Sequence, residues 1–326
     1  MVFSIIIPVK SGDATIHETL SCICSSAHRS FEVIVVMDGW EHPSLSTLFS
    51  EDDRFRFVIH PKGGPAACRH HGAGLAKHDW LFFLDSDVLL HSDTLSKAAA
   101  SLACTGDDGL VGAYDTKPGS PDVISRFRNL LHHYHHNRHG GISGVFWGAL
   151  GVVRKSAYVD SGGFDPAFTH ASVEDIELGY RLSEKGYVVC IRPDIQATHQ
   201  KRWTILNMVR TDVMLRARPW TVLLGRYGQW AKNRLNTSWS ERWSALFAVM
   251  TAGFCLLSLT GLHLLLPAVI CAVSFLFIQL RFYRFIGRHF PVVQYPIVCS
   301  LHLVYYCSAI SGWLLGRIDL LREKSI

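Results

Sequence analysis

Apolar runs of strand length alternate with helix-like patterns along the first hundred residues. The strand-like runs are FSIIIPV, FEVIVVMD, RFRFVIH and WLFFLDSDV, and the helix-like patterns cover 16–27, 44–49, 66–76 and 94–103. Because continuous apolar strands separated by helices are typical of a sheet covered on both faces, we expect an α/β domain with a mostly parallel, Rossmann-like sheet. In such a sheet the ligand lies at the carboxyl ends of the strands.

A less regular block follows, from 109 to 199. It contains the small-residue strand GALGVVRK, a GGFDP turn, a helix over 174–185 and the His-rich stretch HHYHHNRHGG. We expect this block to form the side of the domain that binds an acceptor substrate, built onto the side that binds a nucleotide. The spacing of the histidines matches no common zinc pattern, which favours a solvated loop on the acceptor side over a metal site.

The C-terminal quarter carries long uncharged stretches. Asp, Glu, Lys and Arg are absent from 243–280 and from 290–316, which predicts transmembrane helices. The first stretch is too long for one crossing of a ~30 Å core at ~1.5 Å per residue, and it fits two crossings that turn near Gly261 and His263. A third crossing would place the basic C-terminus outside, against the positive-inside rule. We therefore expect two to three transmembrane helices over 243–326.

The segment before these stretches is basic and rich in tryptophan. Between 201 and 242 there are nine Lys or Arg residues, two acidic residues, and Trp203, Trp220, Trp230 and Trp239. This mixture is typical of helices that lie on an anionic membrane surface. Nucleic acid is the alternative partner, and the adjoining apolar segments argue against it. The predicted domains are a catalytic domain over 1–200, interface helices over 201–242 and membrane helices over 243–326.

Composition and cysteine usage indicate the compartment. The 326-residue chain is 48% hydrophobic, has a formal net charge of +5, and starts with an apolar run that lacks the basic region and cleavage site of a signal peptide. Its nine cysteines form no CxxC pair, which indicates a reducing compartment and no structural metal. We therefore expect the domain that starts at Met1 to face the cytoplasm.

Two carboxylates follow the apolar run LFFL. Asp85 and Asp87 flank Ser86 where a central strand should end, so their oxygens could hold Mg²⁺ or Mn²⁺ beside a diphosphate. Such an ion neutralises the charge that builds on a nucleoside diphosphate as it leaves. Surface turns also supply D-x-D, but the preceding apolar run favours a metal site.

Polar residues also mark other strand ends. Asp38 ends EVIVVMDG and could accept a hydrogen bond from a base or ribose, with Pro8 ending the first strand beside it. A turn-forming Asp-Gly is the alternative for Asp38. The segment GGPAACR opens a helix with permissive backbone and then places Arg69, which suits a nucleotide diphosphate.

The helix EDIELGYRL begins with two acidic residues, Glu174 and Asp175. They either cap the positive end of the helix or supply a general base for an acceptor hydroxyl. We favour Asp175 as the base, with Glu174 contacting the acceptor or the helix end. His199 could complete a metal's coordination or touch the pyrophosphate, although a lone histidine is more often structural.

Taken together, these segments resemble the family 2 glycosyltransferases of GT-A fold. FSIIIPV, EVIVVMDG, GPAACRHHG, FLDSDV, GALGVVRKSAYVDSGGFDP and EDIELGYRL each look like a block of that family, in the expected order, over residues 3–203. The resemblance implies a nucleotide-sugar donor, a divalent metal and inversion at the anomeric carbon. The stretch HQKRWTILNMVRTDVMLRARPW is similar to bacterial members with membrane-borne acceptors, which implies a multi-pass protein of the inner membrane.

The resemblance also implies a role for each matching residue. The nucleotide-binding residues would be Pro8, Asp38 and Arg69. Asp85 and Asp87 would be the D-x-D motif, with Asp87 the direct metal ligand, and Asp175 would be the base of the E-D motif. The assisting metal ligand would be His199, and the acceptor and membrane side would include Trp147, Arg202 and Trp203.

Departures from the family pattern bear on the substrate. His70 stands where the family usually has Asn, and Met37 and Trp40 alter the usual D-D-G-S, so the donor's base is open. No correctly spaced Q-x-x-R-W motif is present, so one sugar per encounter is expected. We favour transfer from a UDP-sugar to a lipid-linked acceptor. The alternatives are a polyprenyl-phosphate sugar synthase and a non-catalytic membrane scaffold that binds a nucleotide-sugar.

Overall fold

A computed structural model describes residues 1–41, 45, 49, 51–138, 140–228 and 238–323. It separates into two compact units. The first unit comprises Met1–Ser120 and His136–Lys201, and the second comprises Pro121–His135 and Arg202–Ile326. Most of the predicted helix over 44–49, as well as His139 and Trp230, lies outside the described residues.

The first unit is built on a nine-stranded mixed sheet. Its strands are β1 (Phe3–Val9), β2 (Phe31–Asp38), β3 (Phe55–His60), β4 (Trp80–Leu84), β5 (Val88–Leu90), β6 (Gly109–Tyr114), β7 (Gly141–Ser143), β8 (Leu150–Arg154) and β9 (Val189–His199). The order is β3-β2-β1-β4-β8-β6-β9-β5, with β7 beside β9. The first four strands in this order are parallel, as predicted. Strand β8 joins β4 and β6 antiparallel, which the apolar pattern did not indicate.

The central strands are apolar because both of their faces are covered. All seven residues of β1 are buried, and only the last residue of β2 is not. The first core cluster is formed by side chains of these strands and of α1 (Ile16–Cys24) and α3 (Thr94–Thr105). This burial on two faces explains why strand positions were predictable from apolar runs rather than from alternation.

The described residues of the first unit also form α2 (Gly64–Leu75), α5 (Lys155–Asp160) and α6 (Glu174–Glu184). The predicted helices 66–76, 94–103 and 174–185 match α2, α3 and α6 within two residues at each end. Helix α2 starts at Gly64, whose φ is +83° and where a Cβ would lie 2.2 Å from the Thr169 carbonyl oxygen. Only glycine fits there.

The second unit is helical throughout its regular segments. It contains α4 (Val123–Arg138, up to His135), α7 (Ile205–Arg210), a π-helical segment (Thr211–Ala217), α8 (Arg218–Tyr227), α9 (Trp239–Leu257), α10 (Leu265–Ile278), α11 (Leu280–Ile286) and α12 (Tyr295–Glu323). Aromatic and aliphatic side chains of α4, α11 and α12 share one core with Trp203. The segment 201–242 is thus helical over 205–227 and from 239 onward, and its place at a membrane surface stays a prediction.

Two glycines allow α12 to pack closely on the preceding helices. A Cβ at Gly312 would lie 2.5 Å from the Ala217 Cβ, and one at Gly316 would lie 2.5 Å from the Arg218 carbonyl oxygen. A Gly-xxx-Gly spacing of this kind is common where apolar helices pack at short distance. The Arg218 guanidinium is also paired with Asp319 at 2.6 Å.

The prediction of a solvated loop for the His-rich stretch is wrong. Up to Arg138 these residues continue α4, and His133, His135 and His136 are buried. His133 stacks on Phe285 with ring centroids 5.6 Å apart. The helix forms because Phe127, Leu130 and Leu131 recur at helical spacing, and the polarity of the histidines concealed that pattern.

Among the described residues, one helical span is long and apolar enough to cross a membrane, Val292–Arg322. The segments Leu262–Ile278 and Leu280–Ile286 reach this length and apolarity only together, and they are bent by 71° at the break between them. The chain does turn between α9 and α10, near Gly261 and His263 as expected. The structure therefore offers one candidate span, or two if the bent pair is a single span.

Candidate functional site

A buried arginine connects two acidic motifs of the first unit. The Arg69 guanidinium, on α2, donates to Asp85 at the end of β4 at 2.6 Å and to Glu174 at the start of α6 at 2.9 Å. It lies 5.3 Å from the centre of the Phe164 ring. A Cβ at Gly148 would lie 3.0 Å from the Arg69 Cζ atom, so the backbone of Gly148 also packs on this group.

Glu174 is buried and its two carboxylate oxygens have different partners. One oxygen accepts from Arg69, and the other accepts from the Ser172 backbone N–H at 2.7 Å. The structure therefore places Glu174 at the helix end, where it balances the charge of Arg69.

Asp175 faces the same segment from the next position. Its carboxylate accepts from the Gly148 N–H at 3.0 Å and from the Ile176 N–H at 2.8 Å. Burial, with the neighbouring charge of Glu174, raises the pKa of Asp175 to about 7. A carboxylate with this pKa can accept a proton near neutral pH, as a general base must.

The two aspartates of the D-x-D motif have different environments. Burial raises the pKa of Asp85, against the opposing charge of Arg69. Burial also disfavours ionisation of Asp87, but the hydrogen bond to His199 and the charges of His199, Lys201 and Lys10 outweigh it and lower the pKa of Asp87. Asp87 is therefore better suited than Asp85 to bind a metal cation, because Asp85 is already paired with Arg69.

Asp87 and His199 fit a divalent metal ion. The Asp87 Oδ2 and His199 Nε2 atoms are 3.6 Å apart, and two neighbouring ligands at ~2.1 Å from one ion are roughly 3 Å apart. The separation therefore needs only a small side-chain adjustment. The oxygen of Asp87 suits Mg²⁺ or Mn²⁺, and the imidazole nitrogen favours a transition metal over Mg²⁺.

Aromatic rings orient His199. Its ring stacks on Tyr114 with centroids 4.2 Å apart and planes at 5°. Trp147 meets Tyr114 edge to face at 4.6 Å, and His136 in turn meets Trp147 at 4.5 Å. Trp147, expected on the acceptor side, thus belongs to the ring group beside His199. Tyr114 was missed because it ends an otherwise ordinary apolar strand.

The backbone between the two aspartates is held by residues that the motifs did not indicate. The Ser86 carbonyl accepts from Thr19 Oγ1 at 2.7 Å and from Thr15 Oγ1 at 3.1 Å, and the Ser86 hydroxyl donates to Asp13. Asp13 also accepts from the Thr15 N–H. This local turn is recognisable as Asp-x-Thr before a helix, but its pairing with Ser86 is not.

The remaining predicted residues have other surroundings. Asp38 accepts from the Gly63 N–H at 2.7 Å and the Gly64 N–H at 3.1 Å, at the start of α2. Pro8 is buried in β1. In the second unit Arg202 is exposed, whereas Trp203 is buried with its ring under the Arg128 guanidinium.

Comparison with known proteins finds a family model that matches the N-terminal half of the chain. Residues 4–161 match the family model "Glycosyl transferase family 2". The pre-mycofactocin glycosyltransferase of Mycobacterium tuberculosis is 28% identical over 221 residues, which cover 63% of this chain and 44% of that protein. The validoxylamine A glucosyltransferase of Streptomyces hygroscopicus subsp. limoneus is 26% identical over 235 residues, which cover 61% of this chain and 52% of that protein. The chain therefore spans about half the length of these curated relatives.

A solved structure extends the likeness to the fold. The mannosyltransferase PcManGT from Pyrobaculum calidifontis, in complex with GDP-Man and Mn²⁺, superimposes with a TM-score of 0.58 at 16% identity, covering 95% of this chain and 86% of that one. The identity is too low to carry more than the fold. Residues 4–161 therefore belong to glycosyl transferase family 2, within a domain of GT-A fold.

Proposed function

We propose that this chain transfers a sugar from a nucleotide-sugar donor to a membrane-borne, lipid-linked acceptor, with a divalent ion at Asp87. The observation that carries the proposal is the Arg69 bridge. It joins the D-x-D carboxylate Asp85 to Glu174, the neighbour of Asp175, which supports a site where the leaving group and the proposed base lie close together. A single charged network of this kind suits a reaction that moves negative charge from an acceptor oxygen to a diphosphate.

In the proposed reaction Asp175 takes the proton from an acceptor hydroxyl. The acceptor oxygen forms a bond to the anomeric carbon while the bond from that carbon to the β-phosphate oxygen breaks, and its electron pair leaves with the nucleoside diphosphate. Direct displacement inverts the anomeric centre. The pKa of about 7 for Asp175 supports the role of base, because the group is ionised in part at neutral pH.

The residues that would hold the metal are Asp87 and His199. A bound Mn²⁺ or Mg²⁺ would neutralise charge on the departing diphosphate. The Mn²⁺ in the PcManGT complex supports a divalent ion in this fold and makes Mn²⁺ the first ion to test. Asp38, half-buried at the end of β2, is the proposed contact to the nucleotide. A UDP-sugar is our first choice of donor, and the GDP-Man complex makes a GDP-sugar the first one to compare.

The lipid part of the proposal rests on the second unit. It contains a cavity of about 360 Å³ lined by helices α8, α9 and α12 and the π-helical segment, within the range of small-molecule sites. Along two parallel wall helices, the charged residues and the tyrosines come before the tryptophans, with Thr221 as a hydroxyl among the later residues. The first group is Asp212, Arg216, Tyr305 and Tyr306, and the second is Trp220, Leu224 and Trp313. Such a gradient suits an amphiphile.

The apolar span Val292–Arg322 supports membrane attachment. We propose a multi-pass inner-membrane protein with its first unit in the cytoplasm. If the acceptor is a polyprenyl phosphate, it is already ionised, and Asp175 has little to do in the reaction.

A donor panel tests the proposal. Purified protein in detergent is incubated with Mn²⁺ and UDP-, GDP- or dTDP-sugars, and nucleoside diphosphate release is measured beside an Asp87→Ala variant and an Asp79→Ala control. Release from one donor that needs Mn²⁺ and is lost only in Asp87→Ala is the expected result. If no donor releases nucleoside diphosphate, even with membrane lipids added as acceptor, the proposed transfer is contradicted and a non-catalytic scaffold is favoured.

A further inference from the structure

Three potential metal ligands meet at the carboxyl ends of β2 and β3, away from the D-x-D motif. They are Asp38 at the end of β2, His60 at the end of β3 and Cys68 one turn into α2, and their ligand atoms all lie within 4.8 Å of one another. Asp38 and His60 are paired in the strand register. Both are half-buried and Cys68 is buried, so the group is shielded on one side and reachable on the other.

The ligand types define which ion would fit. Thiolate, imidazole and carboxylate together are a set that Zn²⁺ binds, at ~2.0 to 2.3 Å and in tetrahedral geometry. Mg²⁺ and Mn²⁺ prefer oxygen ligands. Ligand atoms around a tetrahedral ion at those bond lengths lie roughly 3.5 Å apart, so small side-chain rotations within the observed cluster suffice.

The hydrogen bonds that His60 and Asp38 make to the backbone also favour zinc binding. The His60 Nδ1 atom lies 2.6 Å from the Pro61 carbonyl oxygen. Because a carbonyl oxygen only accepts, Nδ1 carries the proton and Nε2 keeps its lone pair for a metal. The Gly63 and Gly64 N–H groups both donate to Oδ1 of Asp38 and orient the carboxylate. Oδ2 accepts only a 3.2 Å bond from the Gly64 N–H, so it keeps a lone pair for a metal.

We propose that Asp38, His60 and Cys68 form a Zn²⁺ site with an open fourth position, separate from the Asp87 and His199 pair. On binding, the Cys68 thiol releases its proton to solvent and a sulfur–zinc bond forms. One consequence rests on the proposed function. Because Asp38 is also the proposed nucleotide contact, Zn²⁺ and the donor compete, and micromolar Zn²⁺ inhibits transfer in a way that added donor relieves.

Cobalt titration tests the site directly, because Co²⁺ replaces Zn²⁺ and gives a thiolate-to-metal absorption band only when sulfur binds it. The full chain in detergent is titrated with Co²⁺ and then with Zn²⁺. The variants are Cys68→Ala and His60→Gln. The matched controls are Cys104→Ala, which removes an exposed thiol, and Asp87→Ala, which removes the other metal ligand. Circular dichroism checks the folding of each variant.

We expect Co²⁺ to produce the band, which saturates with one ion bound through sulfur per chain, and Zn²⁺ to abolish it. The band disappears in Cys68→Ala, weakens at least about tenfold in affinity in His60→Gln, and persists in both controls. No band in the unmodified chain, or a band that survives in Cys68→Ala, overturns the site. If Cys68→Ala does not fold, unchanged affinity in His60→Gln overturns it instead.

Inhibition of sugar transfer by Zn²⁺ is measured separately from metal binding. A cobalt band without inhibition of transfer by Zn²⁺ keeps the site and rejects competition with the donor. A chain with no transfer activity but with the band keeps the site and rejects the proposed enzymatic function.

Discussion

Arg69 and Glu174, 105 residues apart along the chain, form a buried ion pair at 2.9 Å. Loss of one partner of a buried pair costs roughly 3–5 kcal/mol when the other charge is left alone, and here Asp85 remains beside Arg69, so the lower end of that range applies. We therefore expect Glu174→Gln to lower the free energy of unfolding by about 3 kcal/mol, measured by urea unfolding in detergent. In the matched control, Asp52→Asn, a partly exposed pair with Arg54 is lost, and the expected change is under about 1 kcal/mol. Equal effects in the two variants would argue against a stabilising bridge.

The raised pKa of Asp175 predicts how the rate of transfer depends on pH. A base must be ionised to act, and the pKa of Asp175 is raised to about 7, so kcat/KM should rise as pH increases through 7 and level off above it. Asp175→Asn should lower kcat/KM by about 10²- to 10⁴-fold and abolish this rise. Asp165→Asn, an exposed carboxylate in the same block, is the control. Full activity in Asp175→Asn would reject the base and favour an ionised phosphate acceptor.

Because Tyr114 stacks on His199, we expect removal of the Tyr114 ring to change the Mn²⁺ concentration that donor turnover requires. Without the ring, His199 loses its fixed orientation, and loss of such a supporting contact typically weakens metal affinity about 10- to 100-fold. Tyr114→Leu should therefore raise the Mn²⁺ concentration for half-maximal donor turnover by this factor and keep much of kcat at saturating Mn²⁺. The control is Tyr187→Leu. A fall in kcat with an unchanged Mn²⁺ requirement would mean that Tyr114 acts otherwise.

Close packing at Gly312 predicts a steric effect in the second unit. A side chain there meets the Ala217 Cβ atom and the Val213 carbonyl oxygen, whereas a side chain at Gly253 meets nothing within 4 Å. Gly312→Leu should destabilise the protein by about 1–3 kcal/mol, seen as a lower Tm in detergent, and Gly253→Leu should change Tm little. The same drop in both variants would point to a general effect of leucine on these helices.

Sequence patterns predicted the parts of this chain whose signals are local. The strands β1, β2 and β4 are continuous apolar runs, and helix α6 begins with the acidic residues that suit a helix N-terminus. Pairings across the sheet were not predictable, because nothing near Arg69 indicates that Glu174 is its partner.

Two other features, helix α4 and the role of Ser86, were not predicted from the sequence. Helix α4 was missed because its histidines look solvated, although Phe127 and Leu130 form a buried face. The role of Ser86 was missed for another reason. Its partners Asp13 and Thr19 come from a different segment, and only the folded chain brings them to the D-x-D motif.

The acceptor is the central claim, and the lipid product tests it most directly. The chain is incubated with the active donor, Mn²⁺ and a bacterial lipid extract, and the organic phase is analysed by mass spectrometry beside the Asp87→Ala variant. The proposal predicts a lipid heavier by one sugar residue in the unmodified chain and none in the variant. Nucleoside diphosphate release with all of the sugar left in the aqueous phase would contradict a lipid-linked acceptor.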